Sequence, residues 1–220
     1  MTSSISNPDE GFSRINAILE SQKARLIIKR VFDILASFIG LLVLLVLLIC
    51  VYIAVKIGSP GPAFFKQIRV GKYGREFYIL KFRTMIVNAE DSGQLITVGD
   101  DLRITRIGRL LRRTKIDELP QIINVLKGDM SFVGPRPEVP KYVNLYSDAQ
   151  RQILLIRPGI TDVASIKFRN ESEILAGSVD PEKMYIEEVV PTKLKYNLEY
   201  INNISVINDI RLILKTLLKY

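Results

Sequence analysis

Residues Ile34 to Val55 are 22 consecutive positions without a formal charge. At about 1.5 Å per residue, a helix of that length reaches across a hydrocarbon core. The run starts too deep and is too long for a cleaved signal peptide, and no small-residue cleavage site follows it. A buried helix of a soluble core is the competing reading, and the length argues against it. The chain of 220 residues therefore reads as one domain plus an attachment. Residues 1–28 are a polar segment and a surface helix, 29–57 a membrane helix, and 58–220 a single domain with enough chain to bury one core.

The flanks of the run are basic on both sides. Lys23, Arg25, Lys29 and Arg30 precede it, and Lys56, Lys66, Arg69 and Lys72 follow. Loop charge therefore sets no orientation. Two topologies stay open: a straight span, or a re-entrant helix that enters, bends and leaves both flanks on the cytoplasmic side. No proline lies between Val31 and Ile57, so Ser37 and Gly40 are the candidates for a bend.

Charge narrows the partners. A net charge of +8 suits something that carries phosphate: a nucleic acid, an anionic membrane or a nucleotide. Aromatic-rich basic patches and helix-turn-helix or finger signatures are missing from the sequence, so nucleic acid is not the expected partner. The chain has no histidine, which removes histidine-based triads, histidine general bases and the usual zinc sites. Cys50 is the one cysteine, so neither an internal disulfide nor a cysteine metal cluster can form within the chain. Any catalysis must rest on carboxylates, Lys, Arg, Tyr, Ser or Thr. The sequence does not fix an oligomeric state.

Along the chain, Phe12 to Ile28 has helical apolar spacing and reads as a surface helix suited to lying on a bilayer. Gly58-Ser-Pro-Gly-Pro62 ends the long helix. Phe64–Val70 and Arg75–Leu80 read as two strands joined by Gly71-Lys-Tyr-Gly74, with Lys81 and Arg83 beyond the second strand. Asn88 to Asp101 reads as a polar loop over a site. Leu102 to Arg113 is a basic amphipathic helix that suits either an anionic surface or a core with its arginines in water. Val139–Ile156 is helical but interrupted at Pro140, Pro158-Gly159 is a sharp turn, and 181–200 and 206–220 are helices. The expected fold is mostly α with a small β-hairpin (α+β). Its membrane helix packs against one cytosolic catalytic domain with interfacial amphipathic helices.

The chemistry concentrates in Arg112 to Glu138. Five arginines (Arg103, Arg106, Arg109, Arg112, Arg113) lead to the adjacent acids Asp117 and Glu118, and Pro120 follows. Proline is tolerated in a first helical turn, so the acids belong at or beside a helix N-terminus, whose positive end favours carboxylates and phosphate. An ionised Asp is a competent nucleophile, and its neighbour can hold a metal or move a proton. Arg112 and Arg136, the latter fixed between Pro135 and Pro137, offer planar forks for phosphate. Two bland readings compete. Thr114-Lys-Ile-Asp117 matches a capping box, and acids beside arginines form solvated ion-pair clusters.

The order of motifs favours the chemical reading. Lys81-Phe-Arg-Thr-Met85, Asp117-Glu-Leu-Pro-Gln121, Gly128-Asp-Met-Ser-Phe-Val-Gly-Pro-Arg-Pro-Glu138 and Arg157-Pro-Gly-Ile-Thr161 follow an apolar segment and Ser59-Pro-Gly-Pro62. The set resembles the bacterial sugar transferases, the monotopic polyprenyl-phosphate phosphoglycosyl transferases, over roughly residues 29 to 220. The resemblance implies transfer of a sugar 1-phosphate from a nucleotide sugar, a UDP-sugar in many members, to polyprenyl phosphate. The products are polyprenyl-diphosphate-sugar and UMP, in a first membrane step of bacterial polysaccharide or glycoconjugate assembly. It implies Asp117 as nucleophile, Lys81, Arg112 and Arg136 as phosphate-binding cations, and Mg²⁺ held by Glu118, with proton transfer as the alternative role for Glu118. Asp129 reads as a structural acid paired with an arginine. The implied place is the cytoplasmic face of the bacterial inner membrane. Members often place a Ser-Pro break in the membrane helix and Gly and Trp after the Ile-Thr pair. This chain has neither, since Asp162 and Val163 stand at the second place. The alternative function is a non-catalytic, membrane-tethered basic interaction protein.

Overall fold

A computed structural model describes residues 8–89 and 101–218. Helix α1 (Pro8–Ser21) stops at Gln22, and α2 (Lys23–Gly58) follows at once. The sequence joins Lys23–Ile28 to the surface helix, whereas the structure gives these residues to the long one. Nor is α1 a free surface helix. Ile15 is buried with Ile156, Ile201, Ile204 and Leu212, and Ile18 and Leu19 pack against the same cluster.

Helix α2 is about 54 Å long at helical rise, and helical assignment continues through Ser37 and Gly40 without a break. Only 11% of its most apolar 18-residue window is buried, so it is no core helix of this domain. Its protected residues recur every three or four positions: Lys29, Asp33 and Ser37 near one end, Val51 and Val55 near the other. One stripe thus faces the domain at both ends. The remaining faces carry bare apolar side chains such as Val43, Val46 and Ile57. That exposure needs another apolar phase to cover it.

Strands β1 (Phe64–Val70) and β2 (Glu76–Phe82) form the expected antiparallel hairpin, with Phe65 opposite Lys81. The turn between them seats Tyr73 in the left-handed region and closes with Gly71 N–H donating to the Arg75 carbonyl. Strand β2 runs further than the sequence pattern indicates, so Lys81 lies within it. The alternation of a strand then sends Phe82 into the core and Lys81 to the opposite face.

Helix α3 (Arg106–Thr114) begins later than its amphipathic pattern, because Thr105 accepts from Gly108 N–H and caps it. Ile104 is used instead in a bridge to Met85. A 3₁₀ turn over Ile116–Glu118 leads into α4 (Gln121–Lys127). Strand β3 (Ser131–Val133) follows, then the short helices α5 (Pro140–Val143) and α6 (Asp148–Arg151). Pro140 starts a helix here rather than interrupting one, as its free first-turn position allows.

The expected turn at Pro158-Gly159 is instead the entry to strand β4 (Gly159–Thr161), parallel to β3. Gly134 and Gly159 meet backbone to backbone there. A Cβ on Gly159 would lie 2.1 Å from the Gly134 nitrogen, so neither tolerates a side chain. Helices α7 (Val163–Lys167), α8 (Glu171–Ala176), α9 (Pro181–Met184), α10 (Val190–Ile201) and α11 (Val206–Leu218) complete the domain. A π turn over Tyr185–Val189 joins α9 to α10 ahead of Pro191. The architecture is thus mostly helical, with one small antiparallel and one small parallel sheet.

Candidate functional site

Three backbone devices converge on one cavity of about 1300 Å³. The first is the hairpin. Asn124 on α4 accepts from Leu80 N–H at 3.0 Å and donates to the Tyr78 carbonyl at 2.8 Å, strapping β2 to α4 beside Lys81. The second is the link from α3 to α4. Lys115 takes a left-handed conformation, and Thr114 folds its hydroxyl back onto the Leu110 and Leu111 carbonyls. Thr114 therefore closes α3 and caps nothing ahead of it, so the capping-box reading fails. Pro120 then opens α4, and the acids sit in the 3₁₀ turn just before a helix N-terminus.

The third device is the β3–β4 pair. Gly159 N–H donates to the Pro135 carbonyl at 3.0 Å and Gly134 N–H to the Thr161 carbonyl at 3.1 Å. Asp162, 3% exposed, accepts from Arg136 N–H at 3.3 Å while its other oxygen caps α7 at Ser165 N–H, 2.5 Å away. The backbone of Arg136 is thereby fixed from two sides.

The side chains fill the space these devices frame. Glu118 accepts from Lys81 Nζ at 2.9 Å, and its carboxylate is paired with the Arg136 guanidinium through both oxygens. Burial works against the charged form of Glu118, but Arg136 and then Lys81 outweigh it and hold the carboxyl well below the usual range. Glu118 in turn raises the Arg136 guanidinium. Burial lowers Lys81, with Glu118 opposing it.

Asp117 differs. It is 7% exposed, and among the described residues its Oδ1 has no hydrogen-bond partner. Burial, then repulsion from Glu118, pushes its pKa up against the pull of Lys81, Lys115 and Arg112. Arg112 comes from the last turn of α3 and donates through Nε to Thr84 Oγ1 at 2.9 Å. Burial lowers its pKa, and Asp117 opposes that shift. Lys81, Arg112, Asp117, Glu118 and Arg136, singled out in the sequence, all line the one cavity. Among described residues no group of three or more acids, histidines or cysteines is placed to hold a metal.

Other sequence readings change. Arg83 also lines the cavity, but its guanidinium clamps the Ser59 and Pro60 carbonyls, both at 2.7 Å. Among the described residues Asp129 forms no close ion pair with an arginine: its carboxylate accepts from Asn124 Nδ2 at 3.3 Å, and its charge acts on Arg30 from further off. Arg106, Arg109 and Arg113 point to solvent. The loop expected over the site falls largely on 90–100, outside the described residues. Sequence reasoning missed Asn124 and Asp162. Asp162-Val-Ala-Ser165 carries an N-cap signal that would have placed α7, but nothing local points Asn124 at β2.

A family model described as "Bacterial sugar transferase" matches residues 24–220. The chain is 37% identical over 196 residues to a UDP-N-acetylgalactosamine-undecaprenyl-phosphate N-acetylgalactosaminephosphotransferase of Aeromonas hydrophila, covering 86% of this chain and 43% of that one. It is 38% identical over 197 residues to a UDP-glucose:undecaprenyl-phosphate glucose-1-phosphate transferase of Escherichia coli (strain K12), covering 88% and 40%. It is 39% identical over 207 residues to an exopolysaccharide production protein, PSS, of Rhizobium leguminosarum bv. phaseoli, covering 87% and 94%. The chain thus spans less than half of the first two relatives and nearly all of the third.

Proposed function

The chain belongs to the bacterial sugar transferase family, and from that premise we propose that it transfers a sugar 1-phosphate from a UDP-sugar to polyprenyl phosphate. One observation carries the reading: a buried carboxylate oxygen, Asp117 Oδ1, has no hydrogen-bond partner among the described residues, inside a ring of cations. A structural acid in that position would be tied, because an unsatisfied buried charge is costly. Glu118, one residue on, is tied twice.

Asp117 Oδ1 attacks the sugar-linked phosphorus of the donor. The bond from that phosphorus to the bridging oxygen breaks, and UMP leaves with the electron pair. A phosphosugar-aspartyl intermediate remains. An oxygen of polyprenyl phosphate then attacks the same phosphorus, and the Asp117 carboxylate departs as leaving group. Splitting the reaction keeps the two anionic substrates from meeting directly. Lys81, Arg112 and Arg136 neutralise phosphate oxygens as charge moves. Glu118 holds Lys81 and Arg136 in place.

The donor set suits a Mg²⁺ that arrives on the diphosphate, since this ion keeps waters and phosphate oxygens and needs only one or two carboxylates. Glu118 Oε2, which takes one bond from Arg136 at 3.3 Å, is the oxygen with capacity to spare. When bound, the ion would neutralise diphosphate charge.

Helix α2 supports a membrane-bound enzyme at the cytoplasmic face of the inner membrane. Its first turns are held to the domain by Lys29 on Asp209 and by Arg30 on the Val125 and Leu126 carbonyls. Its last turns pack on Phe82 and Leu111. A helix held at both ends by one charged domain keeps both ends on one side, with its bare faces in lipid. That arrangement brings a lipid-bound phosphate to the site where a cytosolic nucleotide arrives. Polysaccharide assembly is the fitting context.

The test is intact-protein mass after mixing the full chain with Mg²⁺ and a panel of UDP-sugars, without lipid acceptor. The expected result is a gain of one sugar phosphate, absent in Asp117→Asn. Full UMP release on adding polyprenyl phosphate, with no adduct under rapid quench, would replace the covalent route with direct transfer. No UMP release from any donor would overturn the reading.

A further inference from the structure

The cavity extends beyond the acids into a lobe walled by α7, α8 and α10. Asn197, on α10, lines it and is 4% exposed. Its Oδ1 is buried without a hydrogen-bond partner among the described residues. An amide left unsatisfied in a folded domain is destabilising unless something from outside completes it. Ser165, Ser172 and Lys193 line the same lobe. Lys193 is already paired with Glu171 and lies 5.5 Å over the Tyr185 ring, so it is tethered to the wall. The cations near Asp117, suited to phosphate, and the amide of Asn197, suited to a hydroxylated group, thus line the same cavity.

We propose that Asn197 is a specificity-determining residue whose Oδ1 accepts a hydrogen bond from an O–H or N–H group of the donor's sugar. This rests on the transferase reading above. The sugar, rather than the base, belongs here because of how the lobe is joined to the reacting centre. Asp162 caps α7, the lobe's near wall, with one oxygen and holds the Arg136 backbone with the other. Arg136 serves the phosphorus that Asp117 attacks. The sugar is joined to that phosphorus through one oxygen, whereas the base lies beyond a second phosphate and a ribose.

The experiment compares wild type, Asn197→Leu and Asn197→Ser as full chains in detergent. UMP release is followed across the UDP-sugar panel, with inhibition by UMP and thermal melting measured alongside. Asn197→Leu removes the amide at similar volume. The expected result is a fall of at least about tenfold in kcat/KM for the preferred sugar, with a narrower spread between sugars. UMP inhibition should be unchanged and the melting temperature not lowered. Asn197→Ser, which returns a hydroxyl, should recover part of the loss. Weakened UMP inhibition with an equal loss on every donor would assign the residue to the nucleoside half and overturn the proposal. Unchanged kcat/KM with a lowered melting temperature would mean a structural water completes the amide, which also overturns it. A wild type that releases UMP from the panel while its variants behave alike sinks this inference alone. A wild type inactive with all donors sinks the transferase reading itself.

Discussion

Two buried acids in this molecule are treated in opposite ways. Asp209, fully buried on α11, is paired with Lys29 of α2 and accepts from the Tyr200 hydroxyl at 2.6 Å. Burial, with Asp209 adding to it, pushes the Tyr200 phenol up, so it stays a donor. Asp117 is buried almost as deeply, and its Oδ1 has no hydrogen-bond partner among the described residues. The first arrangement fastens the apolar helix to the C-terminal helix. The second keeps an oxygen available at a cost in stability. The difference separates a carboxylate that holds the fold from one that, on the proposed mechanism, is kept for a substrate.

The largest effect should come from the free acid. Asp117→Asn should lower UMP release by about 10³-fold or more, as removal of a nucleophile does. The same variant should melt at a higher temperature than wild type near neutral pH. The sign follows from the raised pKa of Asp117. Below the usual carboxylate range both the folded and unfolded forms are protonated, and Asp117 costs nothing. As pH rises, the unfolded chain loses this proton first, so the penalty on the wild type grows until the raised folded value is passed and then stays at its full size. The gap between variant and wild type should therefore open with rising pH. A variant that melts lower at neutral pH would show Asp117 to be structural after all, and would erase the contrast with Asp209.

The tied acid should give the reverse pattern. Asp209→Asn removes the ion-pair partner of buried Lys29 and leaves it only the longer-range charge of Asp33, at a cost of about 3–5 kcal/mol in unfolding free energy. Turnover per folded molecule should change little, because neither residue lines the cavity. Lys29→Met with Asp209→Leu should recover much of the loss, since a buried pair can be replaced by apolar side chains more cheaply than it can be broken. If the double variant stays as unstable as Asp209→Asn, the pair's value lies in the Tyr200 bond rather than in the Lys29 charge.

How legible these features were in the sequence depends on how local their causes are. The apolar run, the hairpin and its turn, and the acids ahead of Pro120 announce themselves through spacing and turn chemistry within a few residues. Asp117, Glu118, Arg112 and Arg136 follow from the same local signals, whereas Lys81 rests on the family resemblance. What escaped was set by contacts across the chain. Strands β3 and β4 have three residues each and exist because Gly134 and Gly159 approach one another from 25 positions apart. The late start of α3 follows from Ile104 bridging to Met85, which frees Thr105 to cap. The capping box ahead of Asp117 was a correct pattern in the wrong place, because Lys115 turns left-handed and ends the preceding helix there. The whole contrast between Asp117 and Asp209 was also invisible, since burial and partners are properties of the assembled core.

Asn124 lies between the two extremes and gives the smallest of these effects. It is 1% exposed, and its amide satisfies the backbone of Leu80 and Tyr78 and reaches Asp129. The residue is tied, as Asp209 is, but what it ties is the strand that delivers Lys81 to Glu118. Asn124→Leu keeps the branched shape and removes all three bonds, leaving the Leu80 N–H, the Tyr78 carbonyl and Asp129 without this partner, at about 1–3 kcal/mol for the strap. If the strap serves only stability, kcat and KM of the surviving folded enzyme should match wild type. If it also sets Lys81, KM for the donor should rise several-fold while Asp117 still forms its adduct, because the cation is displaced and the nucleophile is not. The second outcome is expected. Glu118 already holds Lys81 from the far side, and with β2 loosened that one ion pair would have to fix both the strand and the charge.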